Sequence, residues 1–394
     1  MSRTGEIYKA RRRRTNAVIP PRRSGHFESV AGRRWRAAAW LGLVSSTFST
    51  IVSQLSAARI GRDAAVEWMV VATIPGTDRM LSSDPTAGAI AVGILFHQWA
   101  DFSWALFFFG VLGKWTARLS PVSLILIAPP WAMMTSALEW FVLVPLFPFY
   151  QPIFTLQQPY WVGVLVHLSS ASIYPMYRWI DEDASVQNQN GKVFLRFWTA
   201  AAATGVLFLA IGALAASLGR ELPWWGRDAT IDQTFMRHMS THHQQGIELG
   251  TIAADKAVDP HLRRLANLMT ASQRGENKIL ERWWASWFGS AMQICSSEER
   301  AAMPGLLTPL QVEELRAAPA AAFDALFVNL MTLHHAGAVA MADAELRNGS
   351  DPRLRVMAHG IRHEQQGEIA LMHGAAGVPA VLLASQHMLG DRVN

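Results

Sequence analysis

Two stretches of this chain carry the same residues at the same spacing. Phe235, Met239, His242 and His243 lie in FMRHMSTHHQQGIELG, and Phe327, Met331, His334 and His335 lie in FVNLMTLHHAGAVAMA. A shift of 92 residues superimposes them, and without a gap it also lays Asp259–Glu276 on Asp351–Glu368. That register pairs Gln273 with Gln365 and Glu276 with Glu368. Imidazole with thioether is a donor set for a soft ion such as Cu(I). A Met three residues before a His shares its helix face. A buried carboxylate must be paired, protonated or bound to metal, so Glu276 and Glu368 belong to the same question. The metal-free alternative stands equally open: His–Glu and His–Gln hydrogen bonds that only hold helices in register. If a metal binds, the imidazoles must be neutral, and affinity should fall as pH drops through about 6.5.

The elements that carry these residues follow from the repeat. So many identities in one register indicate a duplicated helix–turn–helix unit, with copies at 232–285 and 324–374. Each second helix opens with Asp-Pro (Asp259-Pro260 and Asp351-Pro352), a cap followed by proline at the first helical position. Two helix pairs make a four-helix bundle over 228–374, the economical way to bury four amphipathic stripes. On those stripes Phe323, Phe327, Leu330 and His334 fall together, as do Leu354, Ala358, Ile361, Gln365 and Glu368. The repeat places His242, Gln273 and Glu276 alike. His243 and His335 fall toward the stripe edge. Gly289 to Ala322 reads as a linker, with a short helix after Thr308-Pro309 capped by Thr308 and Gln311. Residues 375–394 read as a tail.

The N-terminal half is of another kind. Five apolar stretches approach the roughly 20 residues that a bilayer core requires: Ala37–Ala58, Ala87–Leu112, Val122–Leu146, Tyr160–Tyr177 and Leu195–Leu218. They define a transmembrane domain over 37–218. Ala64–Pro75 is too short and reads as a loop or interfacial helix. The leader 1–36, with Arg11–Arg14, Arg22, Arg23, Arg33, Arg34 and Arg36, accounts for most of the net charge of +5. Directly before an apolar run it reads as a cytoplasmic anchor rather than a nucleic-acid-binding arm. Lys and Arg in the short loops then put the C-terminal bundle on the outer side, the periplasm of a bacterial inner membrane. Cleavage of the first span as a signal peptide near Ser56–Ala58 would leave the bundle on that side too. His97, Asp101, Glu139 and His167 fall inside spans, where ionisable groups are costly and default to functional candidates. The plainer reading of His97 and Asp101, four apart on one face, is a hydrogen-bonded pair gluing helices. The sharper one is a metal or proton path.

Several classes drop out. With a single cysteine, Cys295, neither an intrachain disulfide nor a Cys-based zinc site is possible. There is no Glu-x-x-His of the di-iron bundles, since Glu368 and His373 are five apart. No Ser-His-Asp or phosphate-loop motif stands out, so nothing marks the chain as an enzyme.

The duplicated Met, His-His and Gln-x-x-Glu elements, with MTASQRGENKIL and IRHEQQGEIALM around them, resemble the bacterial family called domain of unknown function 305, in its tandem form. The resemblance covers about Asp228 to Met372. It implies a ferritin-like bundle, commonly exported, in a family that includes periplasmic copper-binding proteins. It also implies a ligand set of His242, His243, His334 and His335 with Met239 and Met331. The residue before the His pair is often proline in that family. Here it is Thr241 and Leu333, which alters the local helix.

The expectation is therefore an all-α chain: about five transmembrane helices, then a ferritin-like four-helix bundle. Its function is read as that of a membrane-anchored periplasmic metal-binding protein in metal homeostasis or resistance, copper first, with lipid and a metal ion as partners and no nucleic acid. The alternatives are a membrane structural or assembly subunit with a metal-free bundle, and a metal transporter. Convergence of His97, Asp101, Glu139 and His167 would favour transport. A reporter enzyme active only in the periplasm, fused after Asn394, should be active. Activity from a cytoplasm-only reporter at that position would overturn the topology.

Overall fold

The structure, a computed structural model, describes residues 30–147, 151–180 and 189–389. The basic run Arg11–Arg14, Arg22 and Arg23 and the end of the tail lie outside the described residues. Every regular element among the described residues is helical. We number the longer helices in chain order: α1 (Val30–Ser56), α2 (Ala64–Gly76), α3 (Ala87–Leu106), α4 (Pro121–Leu138), α5 (Tyr160–Ala171) and α6 (Gln189–Ser217) in the first half, then α7 (Ala229–Lys256), α8 (Pro260–Phe288), α9 (Ala320–Asn348), α10 (Pro352–Met372) and α11 (Gly377–Leu389).

Among the described residues, three helices are long and apolar enough to cross a membrane by length and composition: Pro121–Leu146, Gly191–Ser217 and Ala320–Asn348. The first two match expected spans. The third is α9 of the bundle, apolar because it is rich in Ala, Leu and Met, and half of its apolar window is buried in the protein. Tyr160–Ala171 has 12 residues, about 18 Å of helix, and continues only through a short 3-10 turn and the helix Tyr177–Ile180. Helix α6 is nearly bare: 6% of its apolar window is buried, and Phe197, Phe208 and Leu214 are exposed. An apolar face of that extent calls for lipid or another protein to cover it.

Residues 64–75, expected as a loop or interfacial helix, form the helix α2. The Asp63 side chain caps it by accepting from Ala65 N and Val66 N. Trp68, Met69, Val70 and Ala72 are buried. The segment is too short to span a bilayer, and its apolar residues are satisfied by protein.

The bundle follows the duplication. Asp259 and Asp351 each cap their helix ahead of proline, accepting from His261 N and Arg353 N. The Thr308–Gln311 capping box forms as expected and opens the helix Pro309–Ala317. Helix α7 packs on α8, α9 on α10, and α7 on α9. One hydrophobic core joins the two halves: Val66, Met69, Ile153 and Leu156 share it with Leu249, Leu265 and Phe323. The tail, expected from 375, forms α11, which packs on α10 and on the short helix Ile153–Gln157.

That short helix also meets α10 backbone to backbone. A Cβ at Gly367 would collide with the Leu156 carbonyl, so only glycine permits the approach. Gly367→Ala should cost about 1–3 kcal/mol through overpacking, read as a lowered urea midpoint of the full chain in detergent. An unchanged midpoint would show that the two helices do not pack this closely.

Candidate metal centre in the bundle

The first histidines of the two pairs meet across the duplication. His242 on α7 and His334 on α9 have ring centroids 3.8 Å apart, tilted by 32°, and both are fully buried. His334 Nε2 donates to the His242 carbonyl at 3.1 Å. His242 Nε2 donates to the Pro304 carbonyl at 3.2 Å. The second histidines face carboxylates: His243 Nε2 lies 2.8 Å from Glu276 on α8, and His335 Nε2 lies 2.7 Å from Glu368 on α10. His243 and His335, expected at the stripe edges, are as buried as the first pair. In a four-helix bundle the edge of one stripe is covered by the neighbouring helix.

The Nε2 atoms of His242, His334 and His335 thus donate to a backbone carbonyl or a carboxylate, whereas His243 Nε2, although 2.8 Å from Glu276, makes no hydrogen bond. The Nδ1 atoms of His242, His243, His334 and His335 have no hydrogen-bond partner among the described residues, and neither do the side-chain atoms of Gln273 and Gln365. Gln273 is close in: a Cβ at Gly246 would meet both its amide oxygen and the His334 ring. Met239 and Met331 are fully buried, each in an apolar cluster. Met239 packs with Phe235 and Trp283, and Met331 with Phe327 and Leu330.

The interior sets the protonation states. Burial, then the neighbouring His243 and His335, pushes His242 down to about 3. Burial also takes His243 to about 3. Both rings are therefore already neutral at pH 6.5, and the expected loss of affinity through that pH has no basis in these two groups. Burial, reinforced by Glu368 and opposed by Arg62, raises Glu276 to about 8.

The sequence reading missed the shell beneath this site. Arg62, from the loop between α1 and α2, reaches Glu67 at 2.7 Å and Glu364 at 2.6 Å. Gln158 donates to Glu67. Ser272 donates to Glu364 at 2.8 Å, and these two residues are partners under the same shift of 92. Glu364 was legible, since it stands three after Ile361 and four before Glu368 on the α10 stripe. Arg62 was not, because nothing local marks a loop arginine as buried.

Among the described residues, the group of three His, Cys or carboxylate donor atoms within 4.8 Å of one another is His238, Cys295 and Glu299. Glu299 is already engaged, held by Arg237 Nη2 at 2.8 and 2.9 Å and closing the Ser296 capping box. We read that group as a local brace.

The four ionisable candidates of the N-terminal half form two pairs. His97 lies 3.7 Å from Asp101, and Ser49 of α1 bonds both. His167 lies 3.2 Å from Glu139, with Thr135 at 2.9 Å from its Nδ1 and Trp104 donating to Glu139 at 3.1 Å. All four line one cavity of about 380 Å3, whose wall also includes Arg62 and Glu67.

Residues 232–376 match the family model described as Domain of unknown function (DUF305). Among solved structures, a DUF305 fragment from Deinococcus radiodurans is 30% identical over 36% of this chain and 93% of its own, with a TM-score of 0.34. CopM in its Cu(I)-bound form is 30% identical over 36% of this chain and 92% of its own, with a TM-score of 0.32. A DUF305 protein from Streptomyces coelicolor is 29% identical over 36% and 89%, with a TM-score of 0.33. No curated protein matches the chain.

His363, on α10 beside this shell, yields a pH prediction. Burial, with His387, Arg62 and His359 as cationic or protonatable neighbours, pushes it down to about 3. Its folded value lies below the unfolded value of about 6.5, so the unfolded state takes up a proton first. Stability should therefore fall as pH drops from about 6.5 toward 3. His363→Gln should flatten that slope by about 1.4 kcal/mol per pH unit in urea titrations of the full chain between pH 6 and 4. An unchanged slope would show that His363 protonates freely when folded.

Proposed function

The chain belongs to the DUF305 family through residues 232–376, and from the geometry of that domain we propose a membrane-anchored metal-binding protein whose bundle interior takes Cu(I). One observation carries the reading: four buried imidazoles, three with Nε2 donating to a carbonyl or carboxylate and the fourth with Nε2 2.8 Å from Glu276, whose Nδ1 atoms have no partner among the described residues. An outer acceptor that fixes the ring and tautomer, leaving the other nitrogen's lone pair open, is how metal-ligating histidines are held. A buried polar atom left unpaired costs about 1–3 kcal/mol, and several in one interior call for an explanation.

The donor set favours a soft, low-coordinate ion. The bundle offers neutral imidazoles and the thioethers of Met239 and Met331 on the same helices, and among the described residues the three-donor group His238, Cys295 and Glu299 includes neither His pair. That combination suits Cu(I). His242 and His334 would hold the ion, with His243, His335, Met239 and Met331 as further donors. Gln273, Glu276, Gln365 and Glu368 would orient the rings or balance charge. Bound copper would be sequestered here. CopM is described in Cu(I)-, Cu(II)- and Ag-bound forms. Those words concern CopM, and the assignment to this chain rests on its own donors.

Anchoring rests on Pro121–Leu146 and on the bare apolar face of α6. Loop charges put the bundle on the periplasmic side, where it would serve copper homeostasis or resistance.

Titration of the full chain in detergent with Cu(I) against a competing chelator tests the proposal. The double variant His242→Ala with His334→Ala should lose most of the binding while remaining folded. Equal, weak binding by both proteins would overturn the copper reading and leave histidines that only hold helices in register.

A further inference from the structure

We propose that the cavity in the N-terminal half is a second metal site, taking a divalent transition-metal cation between the His97–Asp101 and His167–Glu139 pairs. This inference does not depend on copper binding in the bundle. Ionisable groups within apolar helices are costly and, where they face a cavity, mark ion or proton pathways. Here two such pairs, brought by α3, by the turn after α4 and by α5, open onto one cavity of about 380 Å3. The side chains of His97 and Glu139 keep 11% and 14% exposure there, so neither is sealed into helix packing. Glu139 opens a π-helical turn, Glu139–Leu143, a local irregularity frequent at functional sites. Two imidazoles and two carboxylates form a donor set for borderline divalent ions rather than for Cu(I).

The charge balance also points to a cation. Asp101 and Glu139 contribute acidic groups, while the one arginine on the wall, Arg62, is already shared between Glu67 and Glu364. The largely apolar remainder of the wall, including Phe96, Trp140 and Leu209, strengthens attraction between a cation and these carboxylates. The donors form two open pairs, no three of their atoms lying within 4.8 Å of one another, an arrangement that suits an ion that must also leave. The cavity reaches Arg62 and Glu67, and Arg62 contacts Glu364 of the bundle.

The probe is Co2+, bound to the full chain in detergent micelles. The background carries His242→Ala, His334→Ala and Cys295→Ser, which removes the two central bundle histidines and the buried cysteine as donors. That chain should bind one Co2+ with visible absorption bands. His97→Ala or His167→Ala added to it should weaken binding by more than the roughly 10–100-fold that loss of an outer-shell partner costs. If the added variants fail to fold, histidine modification of the background chain replaces them: Co2+ should protect His97 and His167 from diethyl pyrocarbonate. No bound Co2+ in the background chain, binding unchanged by folded His97 and His167 variants, or no protection of the two rings would each overturn the proposal. Loss of Cu(I) binding in the bundle would leave it standing.

Discussion

Arg62 is the charge on which the arrangement of the two halves depends. It is buried in a loop of the first half, and it lies between Glu67 of its own half and Glu364 of the bundle. A guanidinium taken out of water is tolerable only with close acidic partners, and removing one partner of such a buried pair costs about 3–5 kcal/mol. The bundle therefore cannot be a freely swinging domain on a tether. The contact orients α10, and α10 brings Glu368 to His335. It also opposes the upward shift of Glu276 beneath His243. The docking charge and the candidate metal centre thus share one electrostatic environment.

Within the bundle the duplication supplies symmetry and the linker breaks it. Both second histidines meet the equivalent carboxylate on the helix that follows. The first histidines differ: His334 donates to the His242 carbonyl, whereas His242 donates to Pro304 in the linker. The linker approaches so closely that a Cβ on Gly337 would collide with the Pro304 carbonyl. A segment that reads as a passive connection therefore supplies the acceptor that fixes one of the two central rings.

Much of the bundle was legible because its information is local or repeated. A fixed shift of 92, Asp-Pro helix starts and stripes with 3.6 periodicity all lie along the chain, and they predict the helix pairs, their caps and the polar positions within the stripes. The depth of His243 and His335 was not legible. A wheel drawn for one helix assigns an edge, and burial of that edge depends on the neighbour laid against it. The burial of Ala64–Gly76 was not legible for a related reason: length and hydropathy distinguish a spanning helix from a short one, but do not show which short helix is buried against another domain.

His97, Asp101, Glu139 and His167 mark the same division. Their types and their positions in apolar stretches were present in the sequence, and so was the i, i+4 spacing of the first two. Their sharing of one cavity, and its extension to the carboxylates under the bundle, follow from contacts between residues tens of positions apart. The sequence by itself determined the helices, the repeat and the chemical donors, because those depend on neighbours along the chain. Tertiary structure alone decided which imidazole meets which carboxylate, which nitrogens are left without partners, and how the two halves lock together. Those outcomes depend on helix rotation and on a buried ion pair, which have no periodic signature.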